Sequence, residues 1–424
     1  MAKNKTKKTN VILQPVRGMR DYLPEKQILR EEMISKIKKV FEKYGFVPLQ
    51  TPALEYASIL GKKYGEEERL IFKFKFGDEE LGLKYDQTVP LARVYATNPQ
   101  LGKPFKRYVL DRSWRGERPQ AGRLREFLQC DVDTLGTYDL RADAEILACI
   151  NDALKEIGVE NFTWKINSRK ISVSFLKSCG VADIKLQVAM RAIDKLDKLS
   201  EDKIKKEMLE KGISEASVDT IFSLLKIRGD FEKIKKTIKL DPSAEKEILD
   251  FMSALNDFGV KNYKFDLSLV RGLDYYTGVI FEATSPNFKG TIAAGGRYDH
   301  LIELFSGVEV PATGATLGLD RIIDQLNLQG KKTKTKLFII TINQNPIPFV
   351  QKFRKAGINT DFDLMGRSLR KNLEFVNKLG IPYVAIIGEE ETKQNKIKLK
   401  DMLTGKEKLL TFEEIITKLK NELQ

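Results

Sequence analysis

The sequence is poor in histidine and cysteine. Among its 424 residues there is one histidine, His300, and there are three widely separated cysteines, Cys130, Cys149 and Cys179. Serine-histidine or cysteine-histidine catalysis would have to use that one histidine, and a histidine-rich zinc site is excluded. The cysteines are too few for a disulfide framework and lack CxxC spacing. The composition therefore argues against most hydrolases and metalloenzymes and favours a reducing compartment.

Long apolar runs and the common phosphate-binding motifs are also missing. No segment approaches the roughly 18 apolar residues that cross a bilayer, and the N-terminal MAKNKTKKTN is polar and lysine-rich, unlike a signal peptide. We expect a cytoplasmic protein without a membrane partner and with a disordered basic arm at residues 1–10. Because neither GxxxxGKS/T nor GxGxxG occurs, any nucleotide must be bound by side chains on another scaffold.

Positive charge is in excess. The chain has 73 lysines and arginines against 59 aspartates and glutamates, and its formal net charge is +14. Such a balance favours a polyanionic partner, nucleic acid above all. The alternative is that the lysines form solvated helix faces, as in charge-rich proteins of heat-adapted organisms.

The hydrophobic periodicity predicts an α+β domain that is interrupted by helices and followed by a smaller α/β domain. Helical spacing dominates the interruption, and strands alternate with helices after the polar junction Gln329–Lys334. The expected boundaries are 11–172 and 261–328 for the α+β domain, 173–260 for the helical insertion and 335–424 for the α/β domain.

Several local patterns give sharper predictions. A helix is expected to end at Gly45, and the segment Phe46–Pro52, which contains two prolines, suits an edge strand or an interface. Apolar residues alternate over Tyr263–Leu269, which predicts a half-buried strand, and Leu70–Phe76 is β-rich.

One polar cluster lies between two strand-like runs. The segment Arg271–Gly278, with the sequence RGLDYYTG, brings together a cation, a carboxylate and two phenols beside glycines. Such a combination suits a binding site. The alternative is an ordinary hairpin turn with a surface arginine.

A second charged cluster separates the β-rich runs Lys106–Ser113 and Glu126–Leu135. Its charged residues are Arg115, Glu117, Arg118, Arg123, Arg125 and Glu126. The pattern predicts a long hairpin with a charged loop, in which guanidinium groups could bind phosphates, a carboxylate could accept a hydrogen bond from an adenine amino group, and Phe127 could stack on a base. The alternative is a salt-bridged surface hairpin.

These segments resemble a known family. The sequences at Arg17–Pro24, Phe105–Asp133 and Gly314–Arg321 resemble the three motifs of class II aminoacyl-tRNA synthetases, while LVRGLDYYTG and AAGGRYD (Ala293–Asp299) are similar to peptides that distinguish the histidyl-tRNA synthetases. The DQTVP sequence at Asp86–Pro90 is similar to the archaeal and eukaryotic form. The resemblance covers essentially the whole chain. It implies an antiparallel-sheet catalytic domain with a helical insertion, followed by an anticodon-binding α/β domain.

The resemblance also implies roles for individual residues. For ATP, Arg115 would bind the α-phosphate, Glu117 the adenine amino group and Arg123 the terminal phosphates, while Phe127 would stack on adenine and Arg321 would lie against adenine and the γ-phosphate. For L-histidine, Asp86, Thr88 and Gln129 would hold the amino and carboxylate ends, Asp133 and Tyr276 would bracket the imidazole, and Tyr275 would contact the substrate or orient its neighbours. Arg271 would lie between the carboxylate and the α-phosphate.

The implied reaction needs positive charge rather than a general base. Histidine's carboxylate is already ionised at neutral pH, so Arg271, Arg115 and Mg²⁺ would neutralise two anions during attack on ATP. Implied partners are tRNA(His) and a second copy of the chain, with no metal held by protein ligands. His300 is expected at the start of a helix and not as a catalytic base. The alternative function is that of an inactive regulatory paralogue, the regulatory subunit of ATP phosphoribosyltransferase.

Overall fold

The computed structural model describes residues 12–120, 122–196, 199–227, 231–270, 275–326 and 328–421. The chain divides into two compact units, a larger one of Met1–Asp21 and Met33–Asn327 and a smaller one of Tyr22–Glu32 and Leu328–Gln424. In the described parts of the chain, no helix is long and apolar enough to cross a membrane.

Strands and helices follow one another irregularly up to residue 326. The first elements are α1 (Pro24–Lys43), β1 (Val47–Pro48), β2 (Leu54–Tyr56), α2 (Ala57–Tyr64), β3 (Lys73–Phe76), β4 (Glu79–Leu83), α3 (Thr88–Thr97), β5 (Phe105–Trp114), β6 (Glu126–Leu135), α4 (Leu140–Glu156) and β7 (Thr163–Ser168). Next come the helices α5 (Arg169–Ser178), α6 (Leu186–Ile193), α7 (Glu201–Glu210), α8 (Glu215–Leu225), α9 (Phe231–Thr237) and α10 (Pro242–Asp257). The last are β8 (Tyr263–Phe265), β9 (Val279–Thr284), β10 (Ala293–Arg297), α11 (Glu303–Ser306), β11 (Ala312–Leu317) and α12 (Leu319–Leu326).

An eight-stranded sheet forms the core of the larger unit, in the order β1-β5-β6-β11-β10-β9-β7-β8. Its inner pairs are antiparallel, and the two outermost pairs, β1 with β5 and β7 with β8, are parallel. A separate sheet has the order β2-β4-β3. The predicted antiparallel sheet is therefore confirmed, as is the edge position of the proline-containing segment, because β1 is the end strand of the sheet and, among the described strands, pairs with β5 only.

The hairpin of β5 and β6 is the longest pairing in this sheet and confirms the predicted charged hairpin. It is in register from Phe105 opposite Leu135 to Trp114 opposite Glu126. Successive side chains of a strand point to opposite faces. One face of the hairpin packs under α4, where Lys106 pairs with Glu145 at 2.8 Å. The other face therefore carries the odd-numbered residues of β6, and we call it the site face.

Between β7 and β8 the chain consists of helices, as the lysine- and leucine-rich spacing predicts. Helix α10 packs against α4, which lies on the central sheet. Asp241 begins α10 by accepting hydrogen bonds from the backbone N–H groups of Ser243 and Ala244, and Pro242 occupies the first turn. The helical segment thereby leaves and rejoins the sheet at neighbouring strands.

The smaller unit has a five-stranded sheet of its own. Its elements after residue 328 are β12 (Leu337–Thr341), α13 (Ile347–Lys355), β13 (Thr360–Phe362), α14 (Leu369–Leu379), β14 (Tyr383–Ile387), α15 (Glu389–Lys393), β15 (Ile397–Asp401), β16 (Glu407–Leu410) and α16 (Phe412–Asn421). The order is β13-β12-β14-β15-β16, parallel for the first three strands and antiparallel for the last three. The predicted α/β character of this region is confirmed.

Two predicted strands are shorter than expected. The strand predicted over Tyr263–Leu269 ends at Phe265, because the Asp266 side chain accepts a hydrogen bond from the Ser268 N–H at 3.0 Å and turns the chain. The run from Leu70 becomes a strand only at Lys73, because a 3-10 helix extends to Leu70. The predicted helix end at Gly45 is confirmed by a left-handed φ of +77° just after α1.

Candidate active site

A cavity of about 270 Å³ opens over the site face of the sheet. It collects every residue that the sequence assigned to ATP, and Gln129 as well. These residues are Arg115, Glu117, Arg123, Phe127 and Arg321. Two chain segments almost 200 positions apart in sequence meet here because β11, which leads into α12, pairs with β6.

Arg115 is held between two aromatic rings. Its guanidinium carbon lies 4.5 Å from the centre of the Tyr85 ring and 5.0 Å from that of Phe127, and its Nε donates a hydrogen bond to the Tyr85 carbonyl at 3.2 Å. Cation-π contacts and a fixed hydrogen bond restrict the side chain before any anion arrives. Phe127, predicted to stack on adenine, thus also supports this arginine.

The other predicted phosphate ligands are engaged with the loop itself. Arg321 donates hydrogen bonds to the carbonyl oxygens of Gly122, at 3.1 Å, and Thr291, at 2.6 Å. Arg123 forms an ion pair with Glu117. The arginines therefore join the tip of the β5–β6 loop to the start of β10.

At the histidine end of the predicted site, Asp86 lies two residues before the first residue of helix α3. Its Oδ1 accepts hydrogen bonds from the backbone N–H groups of Thr88, at 2.9 Å, and Val89, at 3.1 Å. Asp86 is buried and Thr88 is half-buried. This capping arrangement fixes the carboxylate at the positive end of a helix.

Asp133 is enclosed by groups that the sequence reasoning missed. Its Oδ2 lies 2.7 Å from Nη2 of Arg107, and the hydroxyl of Tyr298 donates to its Oδ1. Arg107 also donates to the carbonyl of Gln87 at 3.0 Å, so it links the start of α3 to β6. All three of these side chains are buried. Alternation along β5 and β6 could have placed Arg107 beside Asp133, but the contribution of Tyr298 depends on the sheet pairing.

A glycine makes room for this carboxylate. Gly314 lies opposite Asp133 in the register of β11 and β6, and a Cβ added to it would be 2.0 Å from Asp133 Oδ1. No heavier residue fits without moving the carboxylate. Asp131 is a further residue that the sequence reasoning missed, although the QCDVD sequence places it on the site face between Gln129 and Asp133.

Tyr275 and Tyr276 lie against each other and against this buried cluster. Their ring centres are 4.2 Å apart, and the Tyr275 ring is 6.5 Å from that of Tyr298. Burial raises the pKa of Tyr276 to about 12, and neighbouring carboxylates, including Asp133, add to the rise. Both phenols are therefore neutral donors at physiological pH. Arg271, predicted at the centre of the reaction, lies outside the described residues, as does Asp274.

The AAGGRYD segment packs against the two tyrosines and holds them in place. A Cβ on Gly296 would lie 2.6 Å from the Val279 carbonyl oxygen and 3.0 Å from the Tyr276 ring, so both contacts require the glycine. The N–H of Thr277 donates to the Arg297 carbonyl at 2.8 Å, and the buried Arg297 guanidinium pairs with Asp143 and, at 3.2 Å, with Asp299. The segment is a scaffold for the tyrosines.

His300 lies apart from the cavity. It lies in a turn three residues before α11, whose N-cap is Ile302, so the predicted place at a helix start is wrong; its side chain is 63% exposed beside Glu303 and Glu309. Among the described residues, those three form the one group of histidine, cysteine and acidic side chains close enough to share a metal ion. All three cysteines are buried, and none of them forms a disulfide.

Comparisons with known proteins agree with this geometry. The family described as Histidyl-tRNA synthetase matches residues 18–322, and the Anticodon binding domain matches residues 336–422. The histidine-tRNA ligase of Clostridium tetani is 37% identical, with 95% of this chain and 97% of the relative covered. That of Korarchaeum cryptofilum is 38% identical, with coverages of 96% and 98%.

A solved structure agrees as well. The crystal structure of histidyl-tRNA synthetase from a Nostoc species superposes with a TM-score of 0.86 at 28% identity, over 97% of this chain and 100% of that one. Family match, full-length relatives and fold agree, and the chain belongs to the histidyl-tRNA synthetase family.

Proposed function

We propose that the protein activates L-histidine with ATP to histidyl-adenylate and transfers the histidine to the 3′ end of tRNA(His). The main support for this proposal is that the two ends of strand β6 face different kinds of polar groups. Near Phe127 the strand faces guanidinium groups, and near Asp133 it presents buried carboxylate and phenol groups. The first environment suits phosphates, and the second suits an imidazole whose ring nitrogens must both find partners.

The nucleotide would lie in the cavity beside Arg115. With its plane fixed by the Tyr85 carbonyl, this guanidinium would bind the α-phosphate. On ATP binding we expect Arg123 to exchange its carboxylate partner for the terminal phosphates, so that Glu117 can accept a hydrogen bond from the adenine amino group. Arg321 would lie against adenine and the γ-phosphate.

The imidazole would be bracketed by Asp133 and Tyr276. Arg107 and Tyr298 hold the Asp133 side chain in place, where it can accept a hydrogen bond from a ring N–H. Tyr276 is a neutral phenol and can donate to the other ring nitrogen or accept from it. A wrong side chain would leave these buried groups unpaired, which can supply discrimination on the order of 10⁴.

No general base is required for the first step. The histidine carboxylate attacks the α-phosphorus as pyrophosphate leaves, and the 3′-terminal ribose hydroxyl of tRNA then attacks the adenylate carbonyl. Arg115, together with Arg271, would neutralise the crowded oxygens of the first step. Asp86, Thr88 and Gln129 would orient the amino and carboxylate ends of the substrate.

Magnesium would enter as part of MgATP. The described acidic side chains around the cavity already have partners: Glu117 pairs with Arg123, Asp320 accepts the Leu128 N–H at 2.7 Å, and Asp324 pairs with Arg20 at 2.8 Å. They do not form a ready-made carboxylate cage. This suits a cation carried mainly by phosphate oxygens and water.

A homodimer is part of the proposal. The two-residue edge strand β1 and the β2-β4-β3 sheet expose apolar side chains, namely Val47, Leu54, Tyr56, Phe74 and Phe76. An open edge beside exposed apolar residues is suited to pairing with a second copy. Analytical ultracentrifugation would test this, and Phe76→Glu should shift the equilibrium toward monomer.

The remaining proposals concern the domains and the cellular location. We propose residues 11–172 and 261–328 as the catalytic domain, 173–260 as an insertion that contacts the tRNA acceptor stem, and 335–424 as the domain that binds the anticodon. The net charge of +14 favours such a polyanionic partner. Three buried cysteines without a disulfide suit the reducing cytoplasm, where the protein would work.

The test is amino-acid-dependent exchange of pyrophosphate into ATP. We expect exchange with L-histidine and background rates with each of the other amino acids. Equal rates with several amino acids would overturn the assignment. Absence of exchange with all of them would revive the regulatory alternative, which the full-length match to ligases does not favour.

A further inference from the structure

Asp131 is a buried carboxylate that the proposed function has not used. It lies on β6 two positions from Gln129 and two from Asp133, so the three side chains share the site face. Its cross-strand neighbours are Val109 on β5 and Thr316 on β11. Its side chain is almost entirely buried, with the residue 4% exposed.

The three carboxylates near the predicted histidine differ in their hydrogen bonding. Asp86 caps helix α3 through two backbone N–H groups, and Asp133 is bound by Arg107 and Tyr298. Asp131 has the side chain of Thr316 on β11 as its hydrogen-bonding neighbour, and its Oδ1 has no hydrogen-bond partner in the described part of the chain. Gln129 Oε1 also has no hydrogen-bond partner among the described residues. Gln129 is the next residue on the site face of β6, on the side toward the cavity.

Two neighbouring buried acceptors without donors point to a ligand. A buried polar atom without a partner costs free energy, and native proteins rarely leave one unless a ligand or water supplies the hydrogen bond. Of the groups on histidine, the α-ammonium is the one with three N–H donors and a permanent positive charge at neutral pH. It matches two acceptors, one of them a carboxylate.

We propose that Asp131 is a further substrate-binding residue, and that its carboxylate and the Gln129 side-chain carbonyl accept hydrogen bonds from the α-ammonium group of histidine. The inference rests on the proposed function. Asp131 would be a second acidic residue, beside Asp86 and Gln129, at the amino end of the substrate. Asp133 would remain at the imidazole end.

The charges around Asp131 agree with this role. The charged and titratable groups that face it are Arg107 on β5, Asp133 on the same strand, Asp86 before α3 and Tyr276. One guanidinium therefore faces three carboxylates. Burial raises the pKa of Asp131 to about 7, against the opposing charge of Arg107.

A cationic ligand would lower that pKa again. Because burial raises the pKa of Asp131, binding an ammonium group would favour loss of a proton from this carboxyl. Affinity for ammonium-bearing ligands should therefore increase as pH rises through about 7.

The experiment pairs a variant with altered ligands. In Asp131→Asn we expect the histidine KM in pyrophosphate exchange to rise about 10- to 100-fold, as for loss of a charged hydrogen bond, with the ATP KM changed less than about twofold. L-histidinol keeps the ammonium and lacks the carboxylate, and imidazolepropionate lacks the ammonium. We expect Asp131→Asn to weaken competitive inhibition by histidinol about as much as it weakens histidine binding. Inhibition by imidazolepropionate should not change.

The matched control is Thr134→Val, which alters a buried side chain on the opposite face of β6 and should leave all these constants unchanged. A second measurement needs no variant: calorimetry of the wild-type protein in buffers of different ionisation enthalpy gives the number of protons released when a ligand binds. We expect histidinol binding to release more protons than imidazolepropionate binding. Equal proton release for the two ligands, or equal weakening of both by Asp131→Asn, would overturn the inference. Absence of histidine-dependent exchange in the wild type would instead overturn the proposed function.

Discussion

The two halves of the site are built in different ways. The nucleotide half consists of arginines on a loop and a helix start, and their partners are aromatic rings, backbone carbonyls and one carboxylate at the cavity wall. The histidine half consists of buried side chains from β5, β6 and the segment after β10, where Arg107 and Tyr298 both contact Asp133. In the first, Arg115 is held in place and Arg123 can exchange its carboxylate partner for a ligand, whereas the second is fixed throughout by buried contacts.

The difference matches the two recognition problems. Phosphates are large anions, and several guanidinium groups can bind them from different directions. An imidazole must be distinguished from other side chains of similar size, which requires polar groups that cannot move to suit a wrong ligand. We therefore expect substitutions in the nucleotide half to lower the rate of adenylate formation, and substitutions in the histidine half to weaken histidine binding selectively.

The largest effect is expected for Arg115→Ala. This substitution removes a preorganised cation from the developing charge at the α-phosphate, and pyrophosphate exchange should fall by about 10²- to 10³-fold in kcat. Arg112→Ala is the matched control, because Arg112 lies on the same hairpin with a side chain 51% exposed and pairs with Glu126 on the surface. A loss of less than tenfold in Arg115→Ala would place the α-phosphate elsewhere.

Gly314→Ala should disturb the histidine half instead. The added Cβ would lie 2.0 Å from Asp133 Oδ1, so the carboxylate must move, and misplacement of about 1 Å can cost 10²-fold. We expect the histidine KM to rise by about that factor, with a nearly unchanged ATP KM. Gly102→Ala is the control, since no atom lies within 4 Å of its added Cβ. Equal increases in both KM values would contradict the division of the site into two halves.

Tyr298→Phe tests the same carboxylate more gently. It deletes one hydrogen bond to a charged group, which is worth about 1.5–3 kcal/mol, and should raise the histidine KM about tenfold or more. Tyr95→Phe removes a buried hydroxyl that has no hydrogen-bond partner in the described residues, and it should leave the histidine KM unchanged. If the two variants behave alike, Tyr298 contributes only packing.

The sequence was more informative about the nucleotide half than about the histidine half. The arginines of the charged hairpin are recognisable because they crowd a loop between two strong strand patterns, and the pairing of β5 with β6 follows from that spacing. Arg107 and Asp131 lie within strands, where a charged residue suggests a solvent-exposed face. They are buried because other parts of the folded chain pack over the site face. Tyr298 meets Asp133 across 165 residues, a contact set by strand order that periodicity cannot predict.

The smallest effect is expected two residues from Tyr298, at His300. This histidine follows the AAGGRYD segment directly, yet its side chain is 63% exposed and its nearest carboxylate oxygens, on Glu303 and Glu309, are 3.6 and 3.7 Å from Nδ1. Exposed ion pairs of this kind contribute little. His300→Asn should therefore change the histidine KM and the exchange rate by less than about twofold, measured beside Tyr298→Phe in the same assay. A larger loss would mean that the histidine half extends beyond the buried residues to the surface turn, and the contrast between a fixed and a rearranging half would then need a different boundary.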